Sequence, residues 1–169
     1  MKKATWTPKE KPILFSSSMV RAILGGTKTQ TREVVQLPDG HNWSFDRICA
    51  IPYLFGPGAF LFMDGDWSRG AQCPYSQPGD RLWVRETWAI PDSEPLRGRV
   101  LPREDVAYAA SCPTVDLESP SIRWRPSVHM PRWACRLVLE IVSVRVERLQ
   151  EISEEDARAE GVGKHGGWN

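Results

Sequence analysis

Long apolar runs are missing from this sequence. Their absence excludes a membrane-spanning helix, which needs about 20 consecutive apolar residues. Met1-Lys2-Lys3 imitates the start of a secretory leader, but Thr7, Pro8, Lys9, Glu10 and Lys11 stand where an apolar stretch is required. A soluble, cytoplasmic protein is expected. Cysteine is sparse: Cys49, Cys73, Cys112 and Cys135 are far apart and none forms a C-x-x-C pair. With His41, His129 and His165 also scattered, a zinc site would have to be assembled from remote segments. No metal and no cofactor is therefore expected, and the thiols read as reduced. Net charge is lacking too. The balance of 22 basic and 21 acidic residues leaves +1, so no global field draws the chain to nucleic acid or membrane, and any basic surface is local. Lysine is the scarce cation, six against 16 arginines. Arginine suits bidentate recognition of phosphate, although a GC-rich genome gives the same tilt.

What is present is ordinary in bulk: 169 residues, 41% hydrophobic and 25% charged, enough for one domain with a real core. The most informative stretch is Ser16 to Arg32, SSSMVRAILGGTKTQTR. Its serines can cap a helix whose Met19, Val20, Ile23 and Leu24 recur at helical spacing. Gly25 and Gly26 stop that helix. Six polar residues follow, Thr27-Lys28-Thr29-Gln30-Thr31-Arg32, which read either as a solvated loop or as a site.

Along the chain, residues 1–11 are polar and read as flexible, Pro12 to Phe15 is a strand candidate, and Pro38-Asp39-Gly40 marks a turn. Ser44 to Ile51 and Phe60 to Met63 suggest a hairpin broken at Phe55 to Ala59. Met63-Asp64-Gly65-Asp66 is a further turn signal, and Arg69 to Pro78 reads as irregular. From Arg81 the residues alternate strictly: Leu82, Val84, Glu86 and Trp88 share one face, Arg81, Trp83, Arg85 and Thr87 the other. Glu86 thus lies in register with apolar residues, where it needs an arginine partner or a substrate contact. Residues 90–131 carry seven prolines and read as an irregular insertion, with Val106 to Ala110 a strand candidate. The insertion ends in Arg123-Trp124-Arg125-Pro126-Ser127-Val128-His129-Met130-Pro131-Arg132-Trp133. Arginines interleaved with indoles suit phosphate contacts and base stacking; alternatively the tryptophans fill core and the arginines lie across them. Ala134 to Arg148 reads as a long strand whose apolar parity switches midway, which implies a bulge or bend. Ser153 caps a helix with an acidic first turn and Gly161 as its stop. Gly163 to Asn169 is a glycine-rich tail.

GTKTQTR after a short glycine-stopped helix resembles the glycine, lysine, threonine and arginine signature of ASCH domains, relatives of the RNA-binding PUA fold. PGDRLWVRETW, from Pro78 to Trp88, resembles that family's Gly-Asp-x-Leu-x-Val-Arg-Glu strand. RLVLEIVSVRVERLQEISEEDARAEGV is similar to its long strand and second helix. PILFSSSMVRAIL and RWRPSVHMPRWACRL look closest to ASCH proteins of bacteriophages and prophages. The resemblance frames residues 12–162 and implies an α+β, PUA-like mixed β-barrel with short flanking helices. Such barrels normally add a strand after the second helix, and nothing after Val162 could form it.

One ASCH branch of similar pattern is the bacterial 4-acetylcytidine amidohydrolase. Carried over by position, its working residues fall on Lys28, Thr31 and Glu160, with Glu160 alternatively a plain surface residue of its helix. An amide needs a nucleophile, a base and something to hold the base: Thr31 attacks, Lys28 takes its proton if burial lowers its pKa, and Glu160 orients the pair. Thr29, Arg32, Arg85 and Glu86 are the expected substrate contacts, and Arg123, Trp124, Arg125 and Arg132 the nucleic-acid contacts. The expected partner is a modified nucleoside or single-stranded RNA, with no membrane. Two other readings stand beside this one: an RNA-binding protein or metal-assisted ribonuclease, and a non-enzymatic phage-encoded module with a protein partner.

Overall fold

The computed structural model describes residues 7–37, 40, 42, 44–48, 59–75, 77–90, 106–112 and 122–161. The expectations for residues 1–6, for Pro38 and Asp39, for residues 49–58, for most of the proline-rich insertion and for the tail from residue 162 lie outside these. The fold is α+β. In chain order the elements are β1 (Glu10–Leu14), α1 (Ser17–Leu24), β2 (Ser44–Ile48), β3 (Phe60–Asp64), β4 (Trp67–Ala71), β5 (Arg81–Arg85), β6 (Trp88–Ala89), β7 (Ala107–Tyr108), β8 (Val138–Glu140) and α2 (Glu154–Ala159). Short 3-10 turns occupy Ala109–Ser111, Ser127–His129, Arg132–Ala134 and Leu149–Glu151. The strands pair in the orders β1-β5-β8, β2-β3-β4 and β6-β7, with no closed barrel among the described residues. No helix among them is long and apolar enough to cross a membrane.

The chain forms two compact units. One comprises Met1–Lys11, Arg32–Arg81 and Glu140–Ile152; the other comprises Pro12–Thr31, Leu82–Leu139 and Ser153–Asn169. In the first, β2 and β3 pair antiparallel with a shift of register between Phe45 and Arg47. β3 then pairs with β4 through a two-residue turn, Asp64 opposite Trp67. Gly65 has φ +57°, which glycine adopts without strain in such a turn. Arg69 to Ala71, expected to be irregular, therefore belongs to β4. The stretch WSRGA has no apolar alternation to announce a strand; its pairing with β3 makes it one. Asp80 is buried and accepts from the backbone N–H groups of Lys9 at 2.8 Å and Gln77 at 3.3 Å, which fixes the turn leading into β5.

In the second unit, the alternation read from Leu82 onward holds. Leu82, Val84, Glu86 and Trp88 are buried, whereas Trp83, Arg85 and Thr87 are only partly so. Trp88, Ile90, Val106, Tyr108, Met130, Ala134 and Cys135 form its core, with Trp83 packed against it. Val106 to Ala110 is less of a strand than expected: Ala107 and Tyr108 pair with β6, and a 3-10 turn starts at Ala109. The long strand expected from Ala134 to Arg148 is also corrected. Only Val138–Glu140 is strand: Ala134 closes a 3-10 turn, and after Ile141, which still exchanges backbone hydrogen bonds with Gly79 and Asp80, residues 142–148 carry no regular structure. Val142 accordingly stands 86% exposed.

Helix α1 begins as expected, with Ser16 Oγ accepting from Met19 N. Its buried residues are Val20 and Ala22, while Leu24, expected on the apolar face, is exposed. The reason lies in how the helix ends. Thr27 N donates to Ala22 O and Gly26 N to Ile23 O, the paired bonds of a Schellman stop, with Gly26 at φ +72°. Gly25 keeps right-handed helical geometry, so Gly26 alone takes the left-handed position. The stop folds the chain back over Ala22 and delivers residue 28 beside the helix.

Candidate functional site

The polar loop after α1 is docked on the far end of α2. A helix leaves its last carbonyls without intrahelical donors, and in α2 this loop supplies them. Thr29 N and Gln30 N both donate to Ala159 O, at 2.7 and 2.9 Å. Lys28 Nζ donates to Glu160 O at 3.0 Å, and Lys28 and Glu160 form an isolated antiparallel bridge. Gly161 follows at φ +91° as the helix stop. At the start of α2, Ser153 Oγ accepts from Asp156 N and donates to Asp156 Oδ2. Asp156 Oδ1 in turn accepts from Gln30 Nε2 at 3.1 Å. The loop thus holds α2 at Asp156 and at its C-terminal end.

Lys28 is the chemical centre of this arrangement. It is 6% exposed, and its ammonium lies 5.5 Å from the centre of the Phe15 ring. Besides Glu160 O, Nζ donates to Gln30 O at 2.6 Å. Burial lowers its pKa from the ordinary lysine value, and the charge of Glu160 opposes that shift.

The structure brings Lys28 and Glu160 together from opposite ends of the sequence. The Glu160 atom that holds the lysine is its backbone carbonyl, a contact no side-chain pattern announces. Thr29 and Thr31 are exposed on the same loop. Arg32 lies in the other unit, where its guanidinium pairs with Glu147 at 3.0 Å; Arg145 pairs with the same carboxylate. Glu86, on the apolar face of its strand, is 0% exposed and held by Arg136. Arg136 also donates to Ser111 Oγ, and its guanidinium carbon lies 4.1 Å from the centre of the Tyr108 ring. Arg85 lies over Trp83, as does Arg132, and Arg125 lies over Trp88. Arg123 is exposed and Trp124 half-buried. Sequence reasoning missed Gln30, Asp156 and Phe15; only Asp156 carried a signal, its place three residues after a capping serine. Among the described residues no group of three or more His, Cys, Asp or Glu side chains could hold a metal ion.

Compared with known proteins, the chain matches no family model, no curated protein and no solved structure.

Proposed function

We propose that the chain is an ASCH-domain protein built on a PUA-like barrel, acting in the cytoplasm, in a bacterial host if phage-encoded. Its Lys28 site binds a modified nucleoside, free or within single-stranded RNA, and hydrolyses the amide of 4-acetylcytidine. The observation that carries this reading is the buried Lys28, its pKa lowered by burial and its Nζ held by the carbonyls of Gln30 and Glu160. Burial that lowers the pKa of a lysine makes it a better candidate for general base than a solvated one.

In the reaction, Thr31 Oγ1 bonds to the acetyl carbonyl carbon as its proton passes to Lys28 Nζ. The resulting ammonium returns a proton to the N4 nitrogen as the C–N bond breaks. This releases cytidine and leaves an acetyl ester on Thr31, which water then hydrolyses to acetate and the free hydroxyl. The Glu160 carbonyl holds the amine in place, and the negative charge of Glu160 stabilises the ammonium while it forms.

The test is cytidine release from 4-acetylcytidine, free and in a short oligoribonucleotide, by the purified chain and two variants. Lys28→Met removes the base and keeps an apolar stem in its place; Thr31→Val removes the nucleophile from an exposed position where folding does not depend on it. Turnover by the wild type that both variants abolish supports the reading. A folded wild-type chain that releases no cytidine from either substrate sinks it.

A further inference from the structure

In the sheet of order β2-β3-β4, the outer strands are β2 and β4. Outer strands commonly carry a bulge, a proline or a lysine that keeps another chain from pairing with them. β2 has such a device in its shift of register between Phe45 and Arg47. β4 has none: WSRGA contains neither proline nor lysine, and its five pairs with β3 run without a break. Its first three residues, Trp67, Ser68 and Arg69, are exposed.

The two-residue turn fixes which backbone groups of β4 face outward. Trp67 opposite Asp64 closes that turn, and the closing pair of a two-residue hairpin is hydrogen-bonded. Bonded and non-bonded pairs then alternate along the ladder. Ser68 opposite Met63, and Gly70 opposite Leu61, are therefore the non-bonded pairs. The Met63 carbonyl agrees, since it accepts from Ser44 Oγ of β2, on the side away from β4. Ser68 and Gly70 thus turn their N–H and C=O groups away from β3, to a side where no strand lies among the described residues. Opposed residues share a face of a sheet, so Trp67 and Arg69 lie on the face of Phe60 and Phe62, both buried. That apolar face runs out to β4 and ends at an indole that is 67% exposed.

We infer that β4 is a dimerisation edge: it pairs antiparallel with β4 of a second copy of this chain, about a two-fold axis at Ser68, and joins two three-stranded sheets into one. Two-fold symmetry allows only registers in which a residue faces its own counterpart, and hydrogen bonding allows only an outward-facing one, Ser68 or Gly70. A Gly70 centre sets Trp67 against Cys73 and Arg69 against Ala71. The Ser68 centre sets Trp67 of each copy opposite Arg69 of the other, so each guanidinium meets an indole and no like charges stand opposed. This electrostatic match, repeated on both sides of the axis, selects a second copy over an unrelated strand. One short edge buries less than a permanent dimer interface does, so the association is reversible. The inference does not draw on Lys28 and survives if that site is inert.

The test is sedimentation equilibrium of the full chain over a wide range of concentration, with thermal unfolding to check that each variant folds. The wild type is expected to pass reversibly from monomer to dimer. Ser68→Pro removes the outward N–H and no bond to β3; because the axis doubles each loss, its dimer should be weaker by about tenfold or more. Ser68→Ala keeps the backbone and should dimerise as the wild type does. Trp67→Arg sets arginine against arginine across the axis and should abolish the dimer. Adding Arg69→Trp to that variant exchanges the two partners and should restore it, a rescue that depends on the register and decides the matter even if Ser68→Pro does not fold. A wild type that stays monomeric at every concentration, or that grows into open polymers, overturns the inference. So does a folded Ser68→Pro chain that dimerises like the wild type, or a double exchange as weak as Trp67→Arg alone.

Discussion

A single guanidinium holds both carboxylate oxygens of Glu86: Arg136 Nε reaches Oε1 and Nη2 reaches Oε2, each at 2.8 Å. The two residues are 50 positions apart and meet where the β5 alternation turns a carboxylate inward. Burial makes such a pair a poor source of stability and a costly thing to break. Arg136→Met leaves Glu86 buried without its partner and should cost about 3–5 kcal/mol in urea unfolding. Adding Glu86→Gln to that variant should restore part of the loss, because the stranded charge is gone. Additivity of the two single substitutions to within about 0.5 kcal/mol would mean that the residues are not coupled.

The stop of α1 rests on one backbone conformation. At Gly26 a β-carbon would meet nothing within 4 Å, so Gly26→Ala is opposed only by its φ of +72°. The expected cost is about 1–2 kcal/mol. Gly25→Ala places its β-carbon 3.3 Å from Arg21 O at an ordinary helical φ and should cost less. Thermal unfolding of the two variants compares them directly; equal losses would remove the left-handed stop from the account.

Stability at alkaline pH should carry the signature of Lys28. Burial holds its folded pKa below the ordinary lysine value of 10.5, so between the two the unfolded chain binds a proton that the folded chain does not. In that window stability rises with pH, and above 10.5 the contribution levels off. Tyr75 works the other way. Burial, the Glu33 charge and the hydrogen bond to Glu33 raise its pKa above 10.0, with a smaller push from Cys73. Its contribution is present in full below 10.0 and fades as pH climbs through the folded value. The Lys28 contribution is therefore read as the difference between wild type and Lys28→Met, measured by denaturant unfolding across the alkaline range. That difference should grow with pH up to 10.5. A difference that stays flat would show that burial does not shift this lysine.

Much of the local structure was legible in the residues. The period-two alternation from Leu82 to Trp88 named the buried face correctly, Glu86 included, because a strand has only two sides. The serines at 16–18 and Ser153 announced both helix starts, and of the first three it is Ser16 whose hydroxyl accepts from a first-turn N–H group. The partners were less legible. Parity left Glu86 needing an arginine partner or a substrate contact, and could not choose Arg136 among 16 arginines. WSRGA became β4 only through its neighbour, and Val142 to Val146, rich in β-branched residues, is not strand because strand propensity does not provide a pairing edge. At the candidate site, resemblance to a family selected Lys28 and Glu160. The contact that joins them runs through a main-chain carbonyl, which every residue possesses and no sequence can mark.

Lys28 and Glu160 are separated by 132 positions, and this has a consequence for the birth of the protein. At about 5–20 residues per second, on the order of ten seconds pass between the synthesis of one and of the other. During that interval the carbonyl that receives Nζ does not yet exist, and Lys28 is an ordinary hydrated ammonium on a growing chain. A ribosome that stalls anywhere between the two positions leaves the loop complete and the lysine in water. Elongation past residue 160 is therefore what allows this side chain to leave solvent for its buried place.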